Sequence, residues 1–217
     1  MHAVHGDYDR DGYARIEGLI PREVANAFLR VLKNDLDRSG ASLSALGRQS
    51  PILKREAFEL YSHDYPPMQT LLFGLTPTIA RIADRDLLPT YCYFRIYREG
   101  DICRVHSDRP SCEHSVSLTL DYSDGVPWNL EVGAERLSEP PPPTDDFEGA
   151  PFRSLEMQPG DAVLYKGVHH SHGRITPNPN GWSAHLFLHW VDRDGRFAGH
   201  AFDGREISAM PVNFSFG

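Results

Sequence analysis

From Pro89 onward the sequence breaks into short β-branched and aromatic stretches separated by turn residues, and this narrows the possible fold most. Residues 90–98, Thr-Tyr-Cys-Tyr-Phe-Arg-Ile-Tyr-Arg, read as a strand that ends in the turn Glu99-Gly100-Asp101. Residues 115–122 and 128–132 read as strands around Asp124-Gly125. A further strand at 162–166 follows Pro159-Gly160-Asp161, and a strong one covers 182–191. Before Pro89 the pattern is mostly helical. After a short strand at 12–20, Pro21 opens a helix in which Val24, Phe28, Val31, Leu32 and Leu36 recur at helical spacing until Ser39-Gly40. A second helix spans about Met68 to Ile82, with Met68, Leu71, Leu72, Leu75, Ile79 and Ile82 on one stripe, and Pro77 predicts a kink or a break into two helices. Residues 41–57 show little periodicity. Helices followed by about eight short strands predict a mainly β fold: an antiparallel sandwich or barrel on a helical N-terminal support. The expected organisation is one domain over residues 1–217, with the support over about 1–88 and the core over about 89–195. The stretch 137–153, with its run Pro140 to Pro143, reads as an exposed loop insertion.

Charge and composition exclude several classes of function. Lys plus Arg number 22 against 30 Asp plus Glu, a net charge of -8 with no basic block, which argues against non-specific nucleic-acid binding. No apolar run reaches the roughly 18 residues of a membrane span. The opening Met1-His2-Ala3-Val4-His5-Gly6-Asp7 lacks the basic-then-apolar pattern of a signal peptide. Cys92, Cys103 and Cys112 are too few and too unevenly placed for a disulfide framework. The expectation is a soluble, cytoplasmic protein whose partner is a small-molecule or tethered substrate rather than nucleic acid or a membrane. Its oligomeric state is not readable.

Eleven histidines are many for this length. His106-Ser107-Asp108 would place an imidazole and a carboxylate on one face of a strand. The tripeptide alone is weak, because His5-Gly6-Asp7 has the same form at the terminus. Context distinguishes the two copies. His106 and Asp108 follow a strand and turn, and a second cluster, His169-His170-Ser171-His172, lies 63 to 66 residues beyond His106, after another turn and strand. Two histidines and one carboxylate on one side of a metal leave positions open for substrate and dioxygen, the arrangement of non-heme Fe(II) oxygenases.

The stretch Tyr93-Phe94-Arg95-Ile96-Tyr97-Arg98-Glu99-Gly100, followed by a short spacer and His106-Ser107-Asp108, resembles the Fe(II)/2-oxoglutarate-dependent oxygenases, which are built on a double-stranded β-helix or jelly roll. Gln158-Pro159-Gly160-Asp161-Ala162-Val163-Leu164-Tyr165 resembles the strand that precedes their distal histidine. Asp11-Gly12-Tyr13-Ala14-Arg15-Ile16-Glu17-Gly18-Leu19 and its helix resemble their opening segment. The likeness covers roughly residues 8–195 and is nearest to the prolyl-hydroxylase-like and phytanoyl-hydroxylase-like branches. It implies Fe(II) held by His106, Asp108 and a distal histidine. His169, His170 and His172 are candidates; spacing to the following strand favours His172, with His170 second. The family's reaction would decarboxylate 2-oxoglutarate to succinate and carbon dioxide while hydroxylating an unactivated C–H bond. The retained Asp108 favours hydroxylation, since related halogenases carry a small residue at that position.

One departure stands out. The family commonly places an Arg or Lys about ten residues after the distal histidine to hold the co-substrate's far carboxylate, and residues 176–185 contain neither. Substitutes are Arg95 and Tyr97, on the strand face shared with Tyr91 and Tyr93, together with Arg174 and His185. The gap also admits a cupin-like metal enzyme that does not use 2-oxoglutarate. A non-catalytic binding module on the same fold and, more distantly, a zinc hydrolase are further readings. Arg109, Glu113 and His114 either face substrate or brace the metal strand. His189 shares a face with His185 and reads as packed.

Overall fold

The computed structural model describes residues 2–204 and Phe214; the remainder of the expected 1–217 domain, including Met1, lies outside the described residues. In chain order the elements are β1 (Ala3–His5), α1 (Tyr8–Asp11), β2 (Tyr13–Glu17), α2 (Arg22–Ser39), β3 (Gly47–Arg48), β4 (Ala57–Tyr61) and α3 (Pro66–Ala83). They continue with β5 (Leu87–Arg98), β6 (Cys103–His106), β7 (His114–Tyr122), β8 (Leu130–Gly133), β9 (Phe152–Leu155), β10 (Ala162–Tyr165), β11 (His172–Arg174) and β12 (Trp182–Asp192). Short 3-10 turns occupy Leu43–Leu46, Pro110–Cys112 and Ala198–Gly204. The strands form an eight-stranded sheet, ordered β1-β2-β10-β7-β12-β5-β4-β3, and a four-stranded sheet, ordered β6-β11-β8-β9. The registered strand pairs are antiparallel throughout. This is the expected mainly β jelly-roll core with N-terminal helices. No helix among the described residues is long and apolar enough to cross a membrane.

The N-terminal segment is more than a helical support, because it adds β1 to β4 to both edges of the large sheet. Residues 41–57 hid this: their segments are too short to show a period, and β4 is held by its ladder to β5. α2 runs from Arg22 to Ser39 and stops where Gly40 turns left-handed at φ 69°. Its buried face differs from the expected stripe. Ala25 and Leu32 are buried with Phe28, Leu29 and Leu36 packed beside them, whereas Val24 and Val31 are 45% and 50% exposed. Phe28, Leu32 and Leu36 of the expected stripe thus stay on the buried face, which Ala25 and Leu29 complete in place of the two valines. α3 passes through Pro77 as one helix. Thr76 Oγ1 donates to the Leu72 carbonyl at 2.9 Å. The carbonyl that Pro77 leaves without its helical donor belongs to Phe73, on the exposed side of the helix where water can reach it.

The insertion at 137–153 is pinned rather than free. Val105 N donates to Thr144 O at 2.8 Å, Thr144 N returns a bond to Val105 O at 3.0 Å, and Arg104 Nε pairs with Asp145 at 2.7 Å. Phe147 is buried and stacks on Phe152 with ring centroids 4.6 Å apart.

Candidate metal centre and its cavity

β6 and β11 pair antiparallel in the small sheet with His172 opposite His106, so two residues far apart in sequence share one end of the ladder. β6 stops at His106, and Asp108 reaches the same point from the loop beyond it. Asp108 N donates to Gly167 O at 2.9 Å. A side chain at Gly167 would collide with the Asp108 carboxylate and the Cys112 carbonyl, so the loop's approach depends on that glycine. Gly173 packs in the same way against the backbone of Cys103 and Val105, which lets β11 lie flush on β6.

Three ligand atoms converge there. His106 Nε2 and His172 Nε2 lie 3.6 and 3.5 Å from Asp108 Oδ1. The opposite ring nitrogens are tied to the backbone: His106 Nδ1–H donates to Arg104 O at 2.7 Å, and His172 Nδ1–H donates to His170 O at 3.0 Å. That fixes both tautomers with the Nε2 lone pairs turned to the common point, as in metal-binding histidines. Asp108 Oδ2 is occupied by the Ser115 hydroxyl at 3.1 Å, leaving Oδ1 for an ion. Burial raises the Asp108 carboxyl, but His172 and His106 outweigh it and hold it well below the usual carboxylate range. Burial and His172 together lower His106, while Asp108 overcomes burial at His172 and raises it. Two imidazole nitrogens and one carboxylate oxygen are a donor set that suits Fe(II). Cys112 also lies close, but burial pushes its thiol well up, so it is a neutral neighbour rather than a thiolate ligand.

The rival distal ligands point elsewhere. His170 is buried with its Nδ1 on Gly133 O at 2.9 Å, and its ring fills the space where a side chain at Gly12 would stand. His169 packs on Phe197 at 6.2 Å. Residues i and i+2 of a strand share a face, but the chain enters β11 only at His172, so His170 is not carried to the same side by the strand.

A cavity of roughly 430 Å³ opens beside His106 and Asp108, with Tyr61, Tyr91, Tyr93 and Arg95 along its wall. The candidate co-substrate residues divide into two pairs. Arg95 lines the cavity, and its Nη1 donates to Tyr97 Oη at 2.8 Å. Arg174 and His185 are buried deeper: Arg174 donates to the Trp128 carbonyl and lies 3.4 Å from His185 Nδ1. Arg95 is already half-engaged, because its Nε donates to Glu59 Oε1 at 2.7 Å. Glu59 was invisible in the sequence, since β4 was not read as a strand. His189, expected as a packed histidine, lies tilted against Tyr91 with ring centroids 4.7 Å apart and bonds Ser115 Oγ at 2.9 Å, which links it to Asp108. The cue available was its place two residues short of the Val191 end of an alternating strand. Arg109 lies over the Tyr91 ring at 4.5 Å on the cavity rim. Glu113 and His114 do not face the cavity; they turn to Asp192.

No family model and no curated protein matches this chain. Solved structures do. The non-heme α-ketoglutarate-dependent carbocyclase SnoK of nogalamycin biosynthesis is 14% identical over 96% of this chain and 91% of its own, with a TM-score of 0.65. HygX of Streptomyces hygroscopicus, solved with nickel, 2-oxoglutarate and hygromycin B, is 12% identical over 86% and 85%, with a TM-score of 0.61. A Pseudomonas putida prolyl-4-hydroxylase is 16% identical over 87% and 96%, with a TM-score of 0.57. Two antiparallel sheets closing over a histidine-rich interior therefore give this chain the jelly-roll fold of the Fe(II)/2-oxoglutarate-dependent oxygenases.

Proposed function

We propose that the protein is an Fe(II)- and 2-oxoglutarate-dependent oxygenase that hydroxylates a small-molecule or tethered substrate, with His106, Asp108 and His172 as metal ligands. The observation that carries this reading is the pair of imidazole Nε2 atoms aimed at one carboxylate oxygen at 3.5 and 3.6 Å, beside a cavity that leads to Arg95. Fe(II) bound there supplies an open coordination face for the co-substrate's keto acid and for dioxygen. The chain does the rest. The Arg104 and His170 carbonyls fix the proton on each Nδ1 and so keep each Nε2 aimed at the metal point, and the Ser115 hydroxyl keeps Asp108 to one free oxygen. Arg95 is placed to receive the far carboxylate of 2-oxoglutarate, with Tyr97 as its positioning residue and Arg174 and His185 as the deeper pair. The tyrosine wall gives that end an aromatic lining. HygX, crystallised with hygromycin B, offers a precedent for a small-molecule substrate in this fold. Three free, buried thiols suit a reducing compartment and support a cytoplasmic location.

The Arg95–Glu59 pair favours a second reading, a metal oxygenase that does not use 2-oxoglutarate, because the best placed cation already has a partner. Titrating anaerobic Fe(II)-loaded protein with 2-oxoglutarate separates the two. A weak visible charge-transfer band that disappears in His106→Ala and His172→Ala supports the main reading. Iron binding without the band transfers the assignment to the second. Failure to bind iron removes both.

A further inference from the structure

We propose that Glu113, His114 and Asp192 form a second divalent-metal site of structural type, suited to a borderline ion such as Zn(II) and sharing no residue with His106, Asp108 and His172. β7 begins at His114 and β12 ends at Asp192, and the ladder sets Trp190 opposite His114, so these side chains gather at one end of the two central strands. One ligand atom from each lies within 4.8 Å of the others. His114 Nε2 is 3.2 Å from Asp192 Oδ1 and 4.0 Å from Glu113 Oε2. His114 is 3% exposed, and its Nε2 completes no hydrogen bond; neither does Asp192 Oδ1, which is buried beside it. The two atoms are within ion-pair range at 3.2 Å but out of line for a hydrogen bond, so both can also turn to one shared point.

The surroundings are those of a prepared ligand set. Tyr8 Oη lies 2.6 Å from His114 Nδ1, and in the tautomer in which Nδ1–H donates to it the Nε2 lone pair faces the carboxylates and the tyrosine is the outer partner that metal-bound histidines keep. Glu113 Oε2 accepts the Asp192 backbone N–H at 2.9 Å, which fixes the glutamate's direction. Neighbouring cations are engaged elsewhere: Arg85 and Lys166 with Asp9, and Arg193 with Asp86. Two carboxylates without a lysine or arginine partner need a positive charge when partly buried. A tetrahedral ion with bonds of about 2.1 Å separates its ligand atoms by about 3.4 Å, between the two distances seen here. The Asp192 side chain is 30% exposed, so water reaches the edge of the site. The ion would clamp α1, through Tyr8, to the ends of β7 and β12.

Zinc titration of the full chain tests this, with calorimetry and thermal melting as readouts. The His106→Ala/His172→Ala variant, which lacks the other centre, should still bind one Zn(II) per chain and melt higher with zinc. His114→Ala should weaken that binding at least about 100-fold, and wild type should bind one more zinc than His114→Ala. Because His114→Ala can unfold, Asp192→Asn serves as the shape-preserving check and should weaken binding at least about 10-fold. Unchanged affinity in Asp192→Asn overturns the proposal. So does a double variant that binds no zinc or whose melting zinc leaves unmoved, the outcome expected if a protonated His114 bridges the carboxylates. None of these results touches the Fe(II) reading, which rests on other residues.

Discussion

On the face of the eight-stranded sheet that α2 and α3 cover, β7 presents Val116, Leu118 and Leu120, and β12 presents Ala184, Leu186, Leu188 and Trp190. One residue along the same strands, the opposite face presents Ser115, Ser117 and Thr119 from β7 and His185 and His189 from β12. β5 divides likewise, with Cys92 and Phe94 to the helices and Tyr93, Arg95 and Tyr97 to the small sheet. Both faces are buried, so burial alone does not separate core from site. What differs is cost. Apolar groups gain from leaving water, whereas each buried polar group must find a partner. His185 Nε2 and His189 Nε2 have none. The polar face thus carries unmet hydrogen bonding that a ligand can satisfy, and the helical face carries the stability that lets it persist.

The sharpest test of this contrast is Glu59→Gln. It strands the buried guanidinium of Arg95 and should cost about 3–5 kcal/mol of unfolding free energy. If Arg95 receives the co-substrate, 2-oxoglutarate with Fe(II) should restore much of the loss in a thermal melt. A melt indifferent to 2-oxoglutarate would assign Arg95 to structure alone. Next, Leu118→Ala on the helical face should cost about 3 kcal/mol, read by urea unfolding, while leaving Fe(II) affinity of the folded protein unchanged. A parallel loss of iron affinity would show that the two faces are not independent. On the polar face, Ser115→Ala frees Asp108 Oδ2 and should weaken Fe(II) binding about 10-fold with a smaller effect on melting. The smallest effect is on pH dependence. Burial pushes His189 down to about 4, and burial with Arg174 and Arg95 holds His185 well below its usual value. Both are neutral when folded, so below the ordinary histidine value of 6.5 the unfolded chain binds more protons. Their contribution is therefore complete above that pH and is lost as pH falls below it, for His189 down to about 4. Urea unfolding of metal-free protein across that window should show the decline, and His185→Asn should flatten it; an unchanged slope in the variant would refute the assignment to His185.

Much of this contrast could be read from the chain. The alternation in residues 115–122 and 182–191 marks two-sided strands, because side chains of a strand point to opposite faces in turn. The ligand types of the proposed metal centre were visible as His106, Asp108 and a histidine cluster after a turn and strand. Other parts were not legible. β4 is held by a ladder to β5, from Phe58 opposite Ile96 to Tyr61 opposite Tyr93, and nothing local announces it. Glu59, and with it the competition for Arg95, arrives only through that pairing.

By itself, then, the sequence determined many of the local choices: where the long helices and the central strands run, which side of each central strand is apolar, and which residue types could hold a metal. Tertiary structure alone decided which of these residues meet. His172 rather than His170 joins His106 because β11 enters the ladder at His172 while Gly12 and Gly133 close around His170. His114 meets Asp192 because β7 and β12 are neighbours. Side-chain alternation is a property of one segment and can be read from it. Register is a property of two segments and is set only when distant strands pair.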